Sequence, residues 1–359
     1  MKKILRVLLA FCFVFTILAV YSLLHIVLGI YLERSLGFNA RWPLWILGVS
    51  SILCLIISRV KKNALTTAYY ILGAAWMGVI FISSLVVLPV LVLHVLFKTQ
   101  LYPWIVLPAI AALAIWAAYN SRATTTKTVV LSLDKLKKHL TIVQLTDLHI
   151  GEIYGTRFLE RVVKTTNEQK PDIIVITGDL FDGGGKLYKG MIDSLARLKA
   201  KHKLFITGNH EVYEGVDVTT KLVKAQGITV LDDAAISVEG VQFAGLSYPK
   251  HFGDAKLDVL KRLGKKLKHN APAILLRHEP RDLQAAAEAG FDIQLSGHTH
   301  NGQLWPLNHI VSKVYEFTTG LHQKDDLLLY IGPGIGTWGP PMRLGSRSEI
   351  TVLKLVPLH

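Results

Sequence analysis

Four apolar runs crowd the first third of this 359-residue chain, at residues 4–32, 44–58, 65–97 and 101–119. A helix that crosses a bilayer needs roughly 20 apolar residues, because the hydrocarbon layer offers no partner for an open backbone group. The first and fourth runs have that length. The second reaches it only if Trp42 and Pro43 begin it and Val60 ends it. The third is longer and contains Pro89, which predicts tilt or a kink. Trp42, Trp45, Tyr69, Tyr70, Tyr102 and Trp104 stand near run ends, where amphipathic rings favour a membrane–water interface. A wholly soluble globule is excluded, and a four-helix transmembrane domain is expected over residues 1–120.

Charge sets the expected orientation. Residues 1–120 carry nine Lys or Arg and a single acid, Glu33. With the N-terminus inside, eight basic residues face the cytoplasm (Lys2, Lys3, Arg6, Arg59, Lys61, Lys62, Arg122 and Lys127) against three outside (Arg34, Arg41 and Lys98). Four spans then leave the remainder of the chain cytoplasmic. The first run is too long for a signal-peptide core, and no small-x-small cleavage site follows it. Clustering of basic residues at the run ends suits anionic lipid better than nucleic acid, so membrane lipids are expected partners and nucleic acid is not. Cys12 and Cys54 both lie in apolar runs, too few for a disulfide framework. His25 and His94 are isolated, which favours packing or interfacial roles over a transport pathway.

The pattern changes after a polar linker at 121–127. From 128 to 359, short β-branched runs alternate with amphipathic stretches, as in an α/β domain. Strands are predicted at 129–133, 141–145, 172–177, 203–207, 241–246, 273–276, 292–295, 327–331 and 350–355. Helices are predicted near 156–169, 189–200, 216–226, 255–268 and 281–289. The 255–268 stretch sets Leu257, Leu260, Leu263 and Leu267 against a basic face. Such a helix either packs on its own domain or lies on an anionic membrane.

Five of these strands run into metal-type ligands: Asp147-Leu148-His149, Gly178-Asp179-Leu180-Phe181-Asp182, Gly208-Asn209-His210-Glu211, His278, and Gly297-His298-Thr299-His300. Sites in α/β sheets form at the carboxyl ends of strands, so five such loops would pool carboxylate, amide and imidazole groups. One Asp-x-His arises often by chance, and one Gly-Asn-His suits an ordinary turn. Five in order, each after a strand, do not.

These blocks resemble the calcineurin-like metallophosphoesterase family across residues 128–357. The resemblance implies a four-layer α/β/β/α sandwich. It implies that Asp147, His149, Asp179 and His300 hold one metal ion, and that Asp179, Asn209, His278 and His298 hold the second, with Asp179 bridging. Two divalent ions clamp the attacking and leaving oxygens of an in-line displacement, and a water between them loses its proton to become a bridging hydroxide. The mixed N/O donor set suits Mn, with Fe or Zn as alternatives, better than Mg or Ca. His210 is implied as a catalytic non-ligand that protonates the leaving oxygen. Asp182 either holds the other nitrogen of His210 or is a loop carboxylate or helix cap.

The Gly- and Pro-rich stretch 332–345, followed by Arg347, Ser348 and Glu349, resembles the family's membrane-associated bacterial branch, which includes UDP-diacylglucosamine pyrophosphatases. That likeness implies a multi-pass bacterial inner-membrane protein acting on a phosphorylated lipid or nucleotide-linked substrate. Arg343 then binds phosphate and Trp338 touches an acyl chain or base, unless the loop merely caps the sandwich. Gly183 and Thr207 stand where the protein-phosphatase branch has arginines, which argues against a phosphoprotein substrate. A soluble substrate such as a nucleotide, or an idle regulatory fold, are the alternatives.

Overall fold

The computed structural model describes residues 2–60, 63–184, 187–188, 190–249, 256–268 and 270–358, so Lys61 and Lys62 of the charge argument lie outside the described residues. Contacts divide the chain into two units, Met1–Ala118 with Gly339–Met342, and Tyr119–Trp338 with Arg343–His359.

The first unit is helical: α1 Lys2–Leu36, α2 Arg41–Val60, α3 Ala64–Phe97 and α4 Pro103–Arg122, the last running on into the second unit. All four are long and apolar enough to cross a membrane. Asn63 starts α3 with a reciprocal capping box, its side chain accepting from the Thr66 backbone while Thr66 Oγ1 accepts from Asn63. Leu28, Tyr31, Leu44, Ile80, Val87, Val106 and Ile110 form a core. His25 proves to have partners. Its Nδ1 bonds the Tyr21 carbonyl at 2.8 Å, its Nε2 accepts from Trp76 Nε1 at 3.0 Å, and Gly48 lies against its ring. Both nitrogens are occupied within the bundle, which is a packing role joining α1, α2 and α3.

Among the described residues the second unit holds twelve strands: β1 Thr125–Leu133, β2 Leu140–Leu145, β3 Ile173–Thr177, β4 His202–Ile206, β5 Thr229–Val230, β6 Ala234–Val238, β7 Val241–Leu246, β8 Ala273–Arg277, β9 Ile293–Ser296, β10 Gly320–Lys324, β11 Leu327–Ile331 and β12 Glu349–Pro357. They form two six-stranded sheets, ordered β1-β12-β2-β3-β4-β5 and β10-β11-β9-β8-β7-β6. Every residue of β3 is buried, as expected of a parallel strand covered on both faces. Ile142, Ile173, Val175, Leu204 and Ile206 of the first sheet pack on Phe243, Ile274, Leu276, Ile293 and Leu295 of the second. Each such side chain contributes about 1.5–3 kcal/mol of transfer free energy. On the outer faces, α5 (Thr156–Glu168) packs through Phe158, Leu159, Val162 and Val163, and α8 (Leu257–Gly264) through Leu260 and Leu263. α6 (Asn209–Glu214) and α7 (Val216–Lys224) follow β4, α9 (Leu283–Glu288) follows β8, and α10 (Leu307–Val311) follows β9. The four-layer α/β/β/α sandwich is present.

Several boundaries differ from expectation. The 121–127 linker shrinks to Ala123 and Thr124, because α4 ends at Arg122 and β1 begins at Thr125. The helix expected at 189–200 is only a 3-10 turn, Asp193–Arg197, and Lys189 lies outside the described residues. The basic stretch 255–268 is helical only over Leu257–Gly264 and buries Leu260 and Leu263 against Leu283 and Ala286, so it packs on its own domain while Leu257 stays exposed; Ala255 lies outside the described residues.

Candidate metal centre

The carboxyl ends of β2, β3 and β4 in one sheet and of β8 and β9 in the other carry their side chains to one point. His300 Nε2 lies 3.3 Å from Asp147 Oδ1 and 3.1 Å from His149 Nε2, with Asp179 Oδ2 4.0 Å from the latter. On the other side, His278 Nε2 lies 3.1 Å from Asp179 Oδ2, 3.2 Å from Asn209 Oδ1 and 3.1 Å from His298 Nδ1. Asp179 therefore stands between two ligand groups, and Asp147, His149, Asp179, Asn209, His278, His298 and His300 come together as the sequence implies.

The backbone is bent to achieve this. Asp147, His149, Asp179, His298 and His300 all have positive φ, between 48° and 70°. Non-glycine residues rarely adopt this region, and such strain persists only where surrounding structure holds it. Close approach explains the preceding glycines. A Cβ on Gly208 would lie 2.1 Å from Asp179 Oδ1, and one on Gly297 would lie 2.0 Å from Thr146 Oγ1.

The donor set fits divalent cations. Two nitrogen–nitrogen contacts of 3.1 Å, His149 to His300 and His278 to His298, bring lone pairs together unless a cation or proton lies between them. Burial opposes ionisation of Asp147 and Asp179, yet His300 beside the first and His278 beside the second carry both carboxyls below their ordinary range. Burial pushes His149 and His300 down, and burial with the neighbouring His278 pushes His298 down to about 4. Ionised carboxylates and neutral imidazoles are the forms that ligate a metal. Burial also opposes charge on His278, but Asp179 outweighs it and raises that ring to about 10.

These shifts fix a pH dependence for the metal-free protein. The folded-state value of His298 lies below the ordinary 6.5, so its neutral form stabilises the fold fully above pH 6.5. That contribution drains away as pH falls from 6.5 towards 4, and His149 and His300 act in the same direction, while Glu211, raised to about 7, opposes them by gaining a proton between pH 7 and 4.5. Chelator-treated full-length protein in detergent is expected to lose Tm steadily below pH 6.5. A flat profile down to pH 4.5 would contradict the assignment.

Residues 140–302, which span every ligand, match the family model described as calcineurin-like phosphoesterase. An uncharacterized metallophosphoesterase of Campylobacter jejuni is 34% identical over 277 residues, 74% of this chain and 71% of its own length. The chain belongs to the calcineurin-like metallophosphoesterase family. An uncharacterized metallophosphoesterase of Helicobacter pylori is 33% identical over 230 residues, covering 63% of this chain but only 62% of its own. A Danio rerio protein named transmembrane protein with metallophosphoesterase domain is 33% identical over 269 residues, 68% of this chain and 60% of its own.

Two side chains of this metallophosphoesterase, Asp182 and Arg343, stand differently from expectation. The carbonyl of Asp182, not its carboxylate, bonds His210 Nδ1, at 2.5 Å. The carboxylate instead faces His149 Nδ1 at 3.7 Å. Arg343 is not placed to bind phosphate. It is wholly buried, and its guanidinium donates to the carbonyls of Gly334, Gly336 and Arg347 while lying 3.2 Å from His300 Nδ1. It braces the glycine-rich loop against a ligand. Trp338 is 52% exposed, its backbone pinned in both directions by the Gln303 amide.

Glu211, the last residue of the Gly-Asn-His-Glu block, ties two ligand loops together. Fully buried, it accepts from the backbone N–H groups of Gly208, Asp179, Leu180 and Phe181, at 2.6–3.2 Å, joining the second and third ligand loops. Burial and the Asp179 charge push it up to about 7 against those donors. Motif spacing could not reveal this, because three of its four partners are main-chain groups of another loop. Glu211→Ala orphans four donors at about 1–3 kcal/mol each before relaxation. A loss of at least about 3 kcal/mol in denaturant unfolding is expected, and a loss under about 1 kcal/mol would refute the role.

Proposed function

We propose that this metallophosphoesterase hydrolyses a phosphodiester or pyrophosphate bond in a lipid or lipid-linked substrate, using two divalent ions, manganese foremost. The observation that carries the hydrolase reading is the shared position of Asp179. Both ligand groups meet on it, and His210 Nε2 faces the same carboxylate at 3.8 Å. When bound, the ions supply Lewis-acid charge and acidify the attacking water.

The protein's own groups do the rest. Asp179 Oδ1 accepts the backbone N–H of His210 at 3.0 Å and fixes where that side chain begins. The Asp182 carbonyl holds the proton on Nδ1, so Nε2 is left to exchange a proton with the leaving oxygen. Tyr213, 66% exposed with its ring 5.4 Å from that of His210, offers an apolar wall beside the departing group. The lipid part of the proposal rests on four spans' worth of apolar helix and on the two residues, Ala123 and Thr124, between α4 and β1. By the charge argument the hydrolase faces the cytoplasm of a bacterial inner membrane.

The test is a substrate panel with Mn-loaded, full-length protein in detergent: bis(p-nitrophenyl) phosphate, UDP-diacylglucosamine, phospholipids and cyclic nucleotides. The aryl diester should be cleaved, and a lipid-linked phosphate in mixed micelles should surpass every nucleotide. No turnover of any member would sink the hydrolase reading, and preference for nucleotides would replace the lipid reading with a soluble one. A reporter fused at the C-terminus reads the orientation.

A further inference from the structure

A ligand imidazole can offer only one nitrogen to a cation, and the other must hold the proton. An acceptor placed behind the ring settles that choice. His278 does so through the Thr177 carbonyl, 2.8 Å from its Nδ1. His149 Nδ1 faces Asp182 Oδ1 at 3.7 Å, beyond hydrogen-bond reach. His298 presents Nδ1 to the centre and turns Nε2 to Glu279 Oε1, 3.4 Å away.

Glu279 is itself held with care. Tyr315 and Tyr248 donate their hydroxyls to Oε1, at 3.2 and 3.4 Å, and Arg281 Nε lies 3.2 Å from Oε2. The Arg281 guanidinium lies over the Tyr315 ring, 4.6 Å from its centroid, and the same ring meets His298 edge-on at 5.7 Å. Tyr248 follows β7, Glu279 follows β8 and Tyr315 follows α10, so three separate segments converge to immobilise one carboxylate. That carboxylate lies at Nε2, across the ring from Nδ1, so it cannot share the ion that Nδ1 would hold. Three of its four neighbours donate to it whatever His298 does, which leaves the imidazole proton as what this fixed acceptor decides.

We propose that Glu279 is a positioning residue for the second ion: it accepts the Nε2–H of His298 and thereby keeps Nδ1 as a lone pair for the metal. The inference rests on the dinuclear reading of the site. Without Glu279 nothing at Nε2 holds the proton there, and it is free to move to Nδ1.

Manganese titration of full-length protein in detergent, followed by the EPR signal of free Mn, tests this. Wild type should take up two ions. Glu279→Ala should weaken one of them roughly 10- to 100-fold and leave the other within about twofold, and Glu279→Gln, which retains an acceptor oxygen, should restore most of the loss. His298→Ala should weaken the same ion, and adding Glu279→Ala to it should cost nothing more, since a residue acting through His298 has no effect once the ring is gone. Glu279→Leu fills the same volume without an acceptor and takes the place of alanine if that variant does not fold. Wild-type affinity for both ions in Glu279→Ala, or an additive loss in the double variant, would overturn the inference. Two ions bound by wild type without turnover of any substrate would instead count against the proposed activity alone.

Discussion

Asp179→Ala is expected to lower hydrolysis by roughly three to four orders of magnitude and to remove at least one bound ion. Asp179 Oδ2 is 3.1 Å from His278 Nε2 in one ligand group and 4.0 Å from His149 Nε2 in the other. Alanine there leaves Asp147 as the only ligand carboxylate for two dications, with imidazoles and an amide that bring no negative charge. Lewis-acid stabilisation is worth several kcal/mol, at tenfold in rate per 1.36 kcal/mol. A second loss compounds the first, because Oδ1 no longer fixes the His210 backbone. Initial rates on bis(p-nitrophenyl) phosphate, with metal content measured on the same samples, decide the matter. Activity above about a hundredth of wild type would show that Asp179 does not join the two groups.

His210→Gln should behave in another way, losing about 10²- to 10⁴-fold in kcat on an alkyl leaving group while binding two ions as before. p-Nitrophenolate departs without a proton, so the loss on that substrate should be under about tenfold. The contrast matters because His210 Nε2 also approaches Asp179 and His149 closely enough to be grouped with them as a ligand. Its Nδ1 bond to the Asp182 carbonyl fits either role. Loss of an ion, or equal losses on both leaving groups, would make His210 a ligand rather than an acid.

The ligand residues were legible because each is local. A glycine or polar residue ends a β-branched run, and the ligand comes next in the chain, as at Gly178-Asp179 and Gly297-His298. The sandwich was legible for the same reason, since buried parallel strands such as β3 are apolar throughout. What escaped depends on distant partners. An arginine in a glycine-rich loop reads as an anion binder, but the guanidinium of Arg343 lies among the carbonyls of its own loop. Asp182 acts on His210 through its main chain, which no side-chain pattern encodes. β10, Gly-Leu-His-Gln-Lys, is half polar and is a strand only because β11 pairs with it. The stretch 189–200 has helical spacing, but Gly190 at φ 93° and a turn ending at Leu198 cut it short.

The sheet order has a bearing on how the protein is made. β1 is an edge strand whose one neighbour is β12, paired in parallel from Thr125 with Glu349 to Leu133 with Pro357. β12 in turn separates β1 from β2. Synthesis runs from the N-terminus, so the apolar helices and β1 leave the ribosome long before the strand that joins β1 to its sheet. Insertion of the helices into a bilayer can thus be finished while the hydrolase remains open at that seam. Closure of that seam awaits β12, which pairs with β1 on one side and β2 on the other.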